Sequence, residues 1–120
     1  MLRQRSSGSV KIIFIDRDEL LSRLREIARR LYVERPDVID VRVFGSIARG
    51  DQVGTSDVDV LILLRDSELE DPVERIRSFY PYFDLPVGVD VLVYTQDQLS
   101  RRLEVGDPFV ARMWRESLAL

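Results

Sequence analysis

Five residues carry the chemistry this sequence offers: Gly45 and Ser46 at the end of one apolar run, Asp57 and Asp59 at the mouth of the next, and Asp90 inside a third. Side chains two apart on a strand share a face, so Asp57 and Asp59 point the same way, roughly 6.6 Å apart along the backbone. Two such carboxylates repel, and hard divalent cations with oxygen ligands relieve the repulsion. Mg²⁺ in particular is commonly held by one or two carboxylates together with substrate phosphates. Gly45 lets a strand end turn sharply and brings bare backbone close to a ligand. Ser46 is positioned to cap a short helix, whose N–H groups and hydroxyl would face an anion. A phosphate cradle beside a carboxylate clamp is the equipment of a nucleotide-using enzyme.

Taken alone, Asp-x-Asp is a weak signal, and Ser-Asp pairs also begin ordinary turns. A calcium loop is disfavoured because it would need further oxygen ligands and a glycine where Val60, Leu61 and Ile62 stand. Asp90 alternates with Val89, Val91 and Val93, and its own face carries Gly88, Leu92 and Tyr94, so it reads as nearly buried. An unpaired carboxylate in such a place is costly, which leaves an arginine partner or a metal role. Arg49 could hold a phosphate or pair with Asp51.

Over residues 38–64 the chain resembles the nucleotidyltransferase superfamily that includes DNA polymerase beta, and above all its smallest members, the minimal nucleotidyltransferases (MNT). The family pattern is G-S, ten residues, then D-x-D, with a third carboxylate on a later strand. Gly45, Ser46, Asp57, Asp59 and Asp90 meet it, and Arg49 and Gly50 fit its G-S-x-A-R-G form. The resemblance implies Asp57, Asp59 and Asp90 as catalytic metal ligands, Gly45, Ser46 and Arg49 as nucleotide-binding residues, and Mg²⁺, in a two-ion site, as cofactor with ATP as substrate. It further implies a MntA-type antitoxin of a two-gene HEPN/MNT module, which transfers AMP to a tyrosine of a small helical HEPN-type partner. The reading from another class is a non-catalytic nucleotide-binding or partner-binding module that acts by contact alone.

Composition narrows the chemistry. The 120 residues include no cysteine and no histidine, so thiolate chemistry, an imidazole base and the usual zinc sites are excluded. A net charge of −3 offers no overall basic field for a long nucleic acid. Lys11 is the only lysine, so positive charge is nearly all arginine, suited to bidentate contacts with phosphate or carboxylate. No apolar run is long enough to span a bilayer, and a soluble cytoplasmic protein is expected. Homo-oligomerisation is left open.

The elements that must position these residues follow from periodicity and caps. A single domain over residues 1–120 is expected, with 1–9 frayed and Val10–Ile15 an added strand. Asp16 or Asp18 caps a helix whose Leu20, Leu24, Ile27 and Leu31 recur at helical spacing, and Pro36 ends it. Strands are expected at Val38–Phe44, Val58–Leu64 and Val87–Tyr94. A helix begins at Pro72, another after the Thr95/Gln98 capping box, and a last one after Asp107-Pro108. The crossover between Leu64 and Val87 is long enough for a parallel pair. The fold class is therefore α+β, a nucleotidyltransferase fold with a mixed β-sheet and helices packed mainly on one face. Phe109, Met113 and Trp114 on the last helix suggest core packing or a contact surface.

Overall fold

The computed structural model describes residues 2–7, 10–50, 57–67, 69 and 71–120, with side chains from residue 16 onward. Strand β1 (Leu2–Ser7) pairs antiparallel with β2 (Val10–Ile15). Residues 2–7 lie within the start expected to fray; their ladder is made by backbone groups, and polar side chains do not prevent it.

Helix α1 (Arg17–Glu34) starts where its cap requires. Asp16 Oδ1 accepts from the N–H groups of Asp18 at 3.1 Å and Glu19 at 3.2 Å. Its buried stripe is Leu20, Leu21, Leu24, Ala28 and Leu31, and Arg35, before Pro36, is already extended. Strand β3 (Val38–Phe44) follows and runs straight into the short helix α2 (Gly45–Arg49). Beyond residues 51–56 come β4 (Val58–Leu64), α3 (Pro72–Phe79), a 3₁₀ turn at Tyr80–Tyr82, β5 (Val89–Thr95) and α4 (Gln96–Glu104). The chain continues with α5 (Pro108–Glu116) and the two-residue strand β6 (Leu118–Ala119). The Thr95/Gln98 capping box forms reciprocally, and Gln98 Oε1 also receives the buried Arg75 guanidinium of α3 at 2.6 Å.

The main sheet has the order β5-β4-β3-β6 and is mixed. The long crossover makes β4 and β5 parallel, as expected, whereas the shorter link after α2 returns β4 antiparallel to β3. Strand β6 was not foreseen; it closes the other edge of β3, antiparallel, through Arg42 and Val43.

Alternation along the strands sorts the core into two layers. Val41, Val43, Val60, Ile62, Val91 and Val93 face α1 and α3 in the larger cluster, as the one-sided expectation had it. The opposite face is covered as well: Phe44, Leu61 and Leu63 pack with Leu99 of α4 and with Val110 and Met113 of α5. Among the described residues no helix is long and apolar enough to cross a membrane.

Candidate active site

The acidic residues gather at one end of the sheet because of strand register. Asp59 stands opposite Phe44 on its antiparallel side and opposite Asp90 on its parallel side. Asp59 shares parity with Leu61 and Leu63, and Asp90 with Leu92 and Tyr94, so both lie on the face that α4 and α5 cover further along. Asp57 immediately precedes β4, where the Val58 N–H donates to the Gly88 carbonyl at 2.9 Å. Three strands thus bring Asp57, Asp59, Asp90 and the Gly45-Ser46 turn to one place.

Two glycines make room for the carboxylates. Gly45 has φ +74°, and a Cβ there would stand 2.3 Å from Asp59 Oδ2; at Gly88 a Cβ would stand 2.3 Å from Asp57 Oδ1. Each carboxylate therefore rests on bare backbone. The turn after β3 calls for Gly45, whereas the sequence marks Gly88 only as a small residue on the face of Asp90. Its role is visible only once the parallel pairing sets it beside Asp57.

Ser46 departs from expectation in one respect. The residue at the helix cap is Phe44, which makes no side-chain cap bond, because α2 begins already at Gly45 and places Ser46 within its first turn. The other end of α2 is well held. Gly50, φ +80°, returns its N–H to the carbonyls of Ser46 and Ile47. Arg17, the first residue of α1, donates Nε to the Ile47 carbonyl at 2.8 Å and NH2 to the Ala48 carbonyl at 3.4 Å. A cation at a helix C-terminus is favourably placed. Arg17 anchors the turn from a position that no motif marks.

The burial expected of Asp90 is corrected: the residue is exposed, because the helices on its face leave this end of the sheet open. It makes no ion pair among the described residues, so the arginine-partner explanation has nothing to support it there. Asp59, half-buried, has its carboxyl pushed above the usual carboxylate range, first by burial, then by the negative charges of Asp90 and Asp57, with Arg49 opposing. Among the described residues no three acidic groups are gathered tightly enough to cage a metal as they stand. The donor set nonetheless suits a hard divalent ion: all-oxygen ligands, mutual repulsion at Asp59, and open space on the exposed side.

Arg49 pairs with Glu116 of α5, NH1 to Oε2 at 3.1 Å, and Arg112 holds the other oxygen through Nε at 3.1 Å. Those two guanidinium groups, Arg112 first, keep the Glu116 carboxyl below its usual range. The alternative pairing with Asp51 lies outside the described residues. Helix α5 is thus the second wall of a cleft of about 610 Å³, floored by Gly45, Ser46, Asp59 and Asp90 and walled by Phe109, Arg112, Met113 and Glu116. Their spacing, 109, 112, 113 and 116, is one helical stripe, a signal that existed in the sequence but had no link to the aspartates.

The family model described as "Nucleotidyltransferase domain" matches residues 21–119. A Methanocaldococcus jannaschii protein named "Putative protein adenylyltransferase MJ1215" is 37% identical over 72 residues, covering 52% of this chain and 84% of the relative. Among solved structures, one titled as a "putative nucleotidyltransferase" from Sulfolobus solfataricus superposes with a TM-score of 0.60 at 26% identity, over 71% of this chain and 75% of that one. Another, titled "Structure of putative minimal nucleotidyltransferase", gives 0.57 at 24% identity, over 88% of this chain and 97% of that one, a likeness of fold. With the match running from α1 through β6, the chain belongs to the nucleotidyltransferase domain family and is a nucleotidyltransferase enzyme.

Proposed function

We propose that the protein transfers AMP from ATP to a hydroxyl acceptor, with Mg²⁺ required. The observation that carries this reading is the register of Asp59 with Asp90 on adjacent parallel strands, with Asp57 and the Gly45-Ser46 turn alongside. Asp57, Asp59 and Asp90 would hold the metal, which when bound neutralises triphosphate charge and lowers the pKa of the attacking hydroxyl. Ser46 and the N–H groups after Gly45 cradle the outer phosphates, and Arg49 adds charge on that side. The acceptor oxygen bonds to the α-phosphorus, the bond to the β-phosphate oxygen breaks, and pyrophosphate leaves. Asp90, the exposed carboxylate, takes the hydroxyl proton, a role that needs no histidine.

The acceptor we infer is a tyrosine of a HEPN-type helical partner, which makes this chain the antitoxin of a toxin–antitoxin pair. The name of the Methanocaldococcus relative supports a protein acceptor, and the acidic balance of the chain disfavours nucleic-acid ends. The test is incubation with Mg²⁺ and ATP labelled at the α- or the γ-phosphate, with and without the protein encoded by the adjacent gene. Covalent α-label on the partner, dependent on Mg²⁺, is expected. Covalent γ-label without α-label would mean a kinase and defeat the proposal, and no label of either kind would defeat the assignment of a protein acceptor.

A further inference from the structure

Phe109 is 57% exposed on the first turn of α5, although a buried phenylalanine is worth about 1.5–3 kcal/mol. The ring is not loose on the surface. It meets Phe44 edge-on, with centroids 6.5 Å apart and planes at 83°, and it borders the cleft whose floor holds Asp59 and Asp90. The cleft brings two kinds of side chain together: Ser46, Arg49, Asp59, Asp90, Arg112 and Glu116 are polar or charged, whereas Phe44, Leu92, Phe109 and Met113 are apolar. A nucleoside triphosphate has the same two kinds of surface, a charged tail and a flat π-face. The volume of about 610 Å³ falls in the range of sites that enclose a ligand of this class.

We propose that Phe109 is the platform on which the nucleobase stacks, so that α5 supplies base affinity while the β3–β4–β5 end supplies the phosphate and acid groups. This rests on the nucleotide reading above. Stacking accepts any base, with affinity growing with the size of the ring system. Phe44, Leu92, Phe109 and Met113 bring no hydrogen-bond donor to a base edge, and Arg112 is held by Glu116. Purine triphosphates therefore bind more tightly than pyrimidine triphosphates, through area rather than base-edge contacts.

The experiment is titration calorimetry in Mg²⁺ with two probes, ATP and inorganic tripolyphosphate, on the parent, Phe109→Ala and Phe109→Tyr. Phe109→Ala is expected to weaken ATP by about tenfold, within the span found for removing one stacking partner, and to leave tripolyphosphate unchanged. Phe109→Tyr, which keeps the π-face, is expected to retain ATP affinity. Equal ATP affinity in the parent and Phe109→Ala overturns the platform and frees the ring for a protein contact. Equal losses for both probes also overturn it, since they mark a structural role. A parent that binds neither probe refutes the nucleotide reading itself and this inference with it.

Discussion

Removing the Asp90 charge separates a structural carboxylate from one held in place against repulsion. Asp90 and Asp59 lie opposite each other on neighbouring strands, which run about 4.8 Å apart. At that spacing two unit charges repel by about 1 kcal/mol in water and about 3.5 kcal/mol at an effective dielectric of 20. Because Asp90 is exposed and Asp59 only half-buried, the lower figure governs, and Asp90→Asn should stabilise the metal-free protein by about 1 kcal/mol at pH 7. In a domain of this size that is a rise in Tm of about 4 °C. The pH dependence has a definite sign. The native pKa of Asp59 lies above the 3.8 usual for an aspartate, so its ionisation costs stability as pH rises through the raised value, and below 3.8 the cost is absent. The gain from Asp90→Asn should be full at pH 7, fade as pH falls through the raised pKa, and shrink in high salt. Mg²⁺ with ATP should raise the Tm of the parent more than that of the variant, since stabilisation follows site occupancy. The assay is thermal unfolding in EDTA and in Mg²⁺-ATP at pH 7 and pH 4. A variant destabilised in EDTA by 1 kcal/mol or more would refute the reasoning, because it would mean that the Asp90 charge is favoured rather than repelled in the folded protein.

Three further substitutions test the neighbouring groups. Gly45→Ala places a Cβ at left-handed φ and against Asp59 Oδ2; a loss of about 1–2 kcal/mol in denaturant unfolding is expected, with AMP transfer abolished. Gly88→Ala has no such backbone penalty but must displace the Asp57 carboxylate, so unfolding should be nearly unchanged while metal-dependent transfer falls sharply; full activity would separate Asp57 from the metal site. Glu116→Gln removes a carboxylate from the cleft and releases Arg49 and Arg112, so ATP should bind up to about fivefold more tightly at low salt by calorimetry. Weaker binding would show that the pair holds Arg49 where the phosphates need it.

What local chemistry decides was legible in the sequence. Asp16, the Thr95/Gln98 box and Asp107 each begin a helix where read, because caps act over three or four residues. The strands carrying Asp59 and Asp90 were equally plain from their valines and leucines. Long-range placement was not. Leu118–Ala119 holds two residues of ordinary propensity and becomes a strand only because the end of α5 delivers it to β3. Asp90 looked buried from its alternation with valines, yet its exposure depends on where α4 and α5 stop along the sheet. The cleft wall of Phe109, Arg112 and Glu116 lies some fifty residues beyond the paired aspartates, and no spacing rule links the two.

The parallel pairing of β4 with β5 also gives the site a form of error protection. A slip of one residue would turn Asp90 toward α1 and α3, put a carboxylate where Val91 packs, and expose valines in exchange. Desolvating that charge would cost far more than any modest repacking of the core. Alignment of Asp59 with Asp90 is therefore set by the same preference that buries the valines. Trimming those valines one methyl at a time should lower the melting temperature step by step, while the molecules that remain folded keep their carboxylates in line.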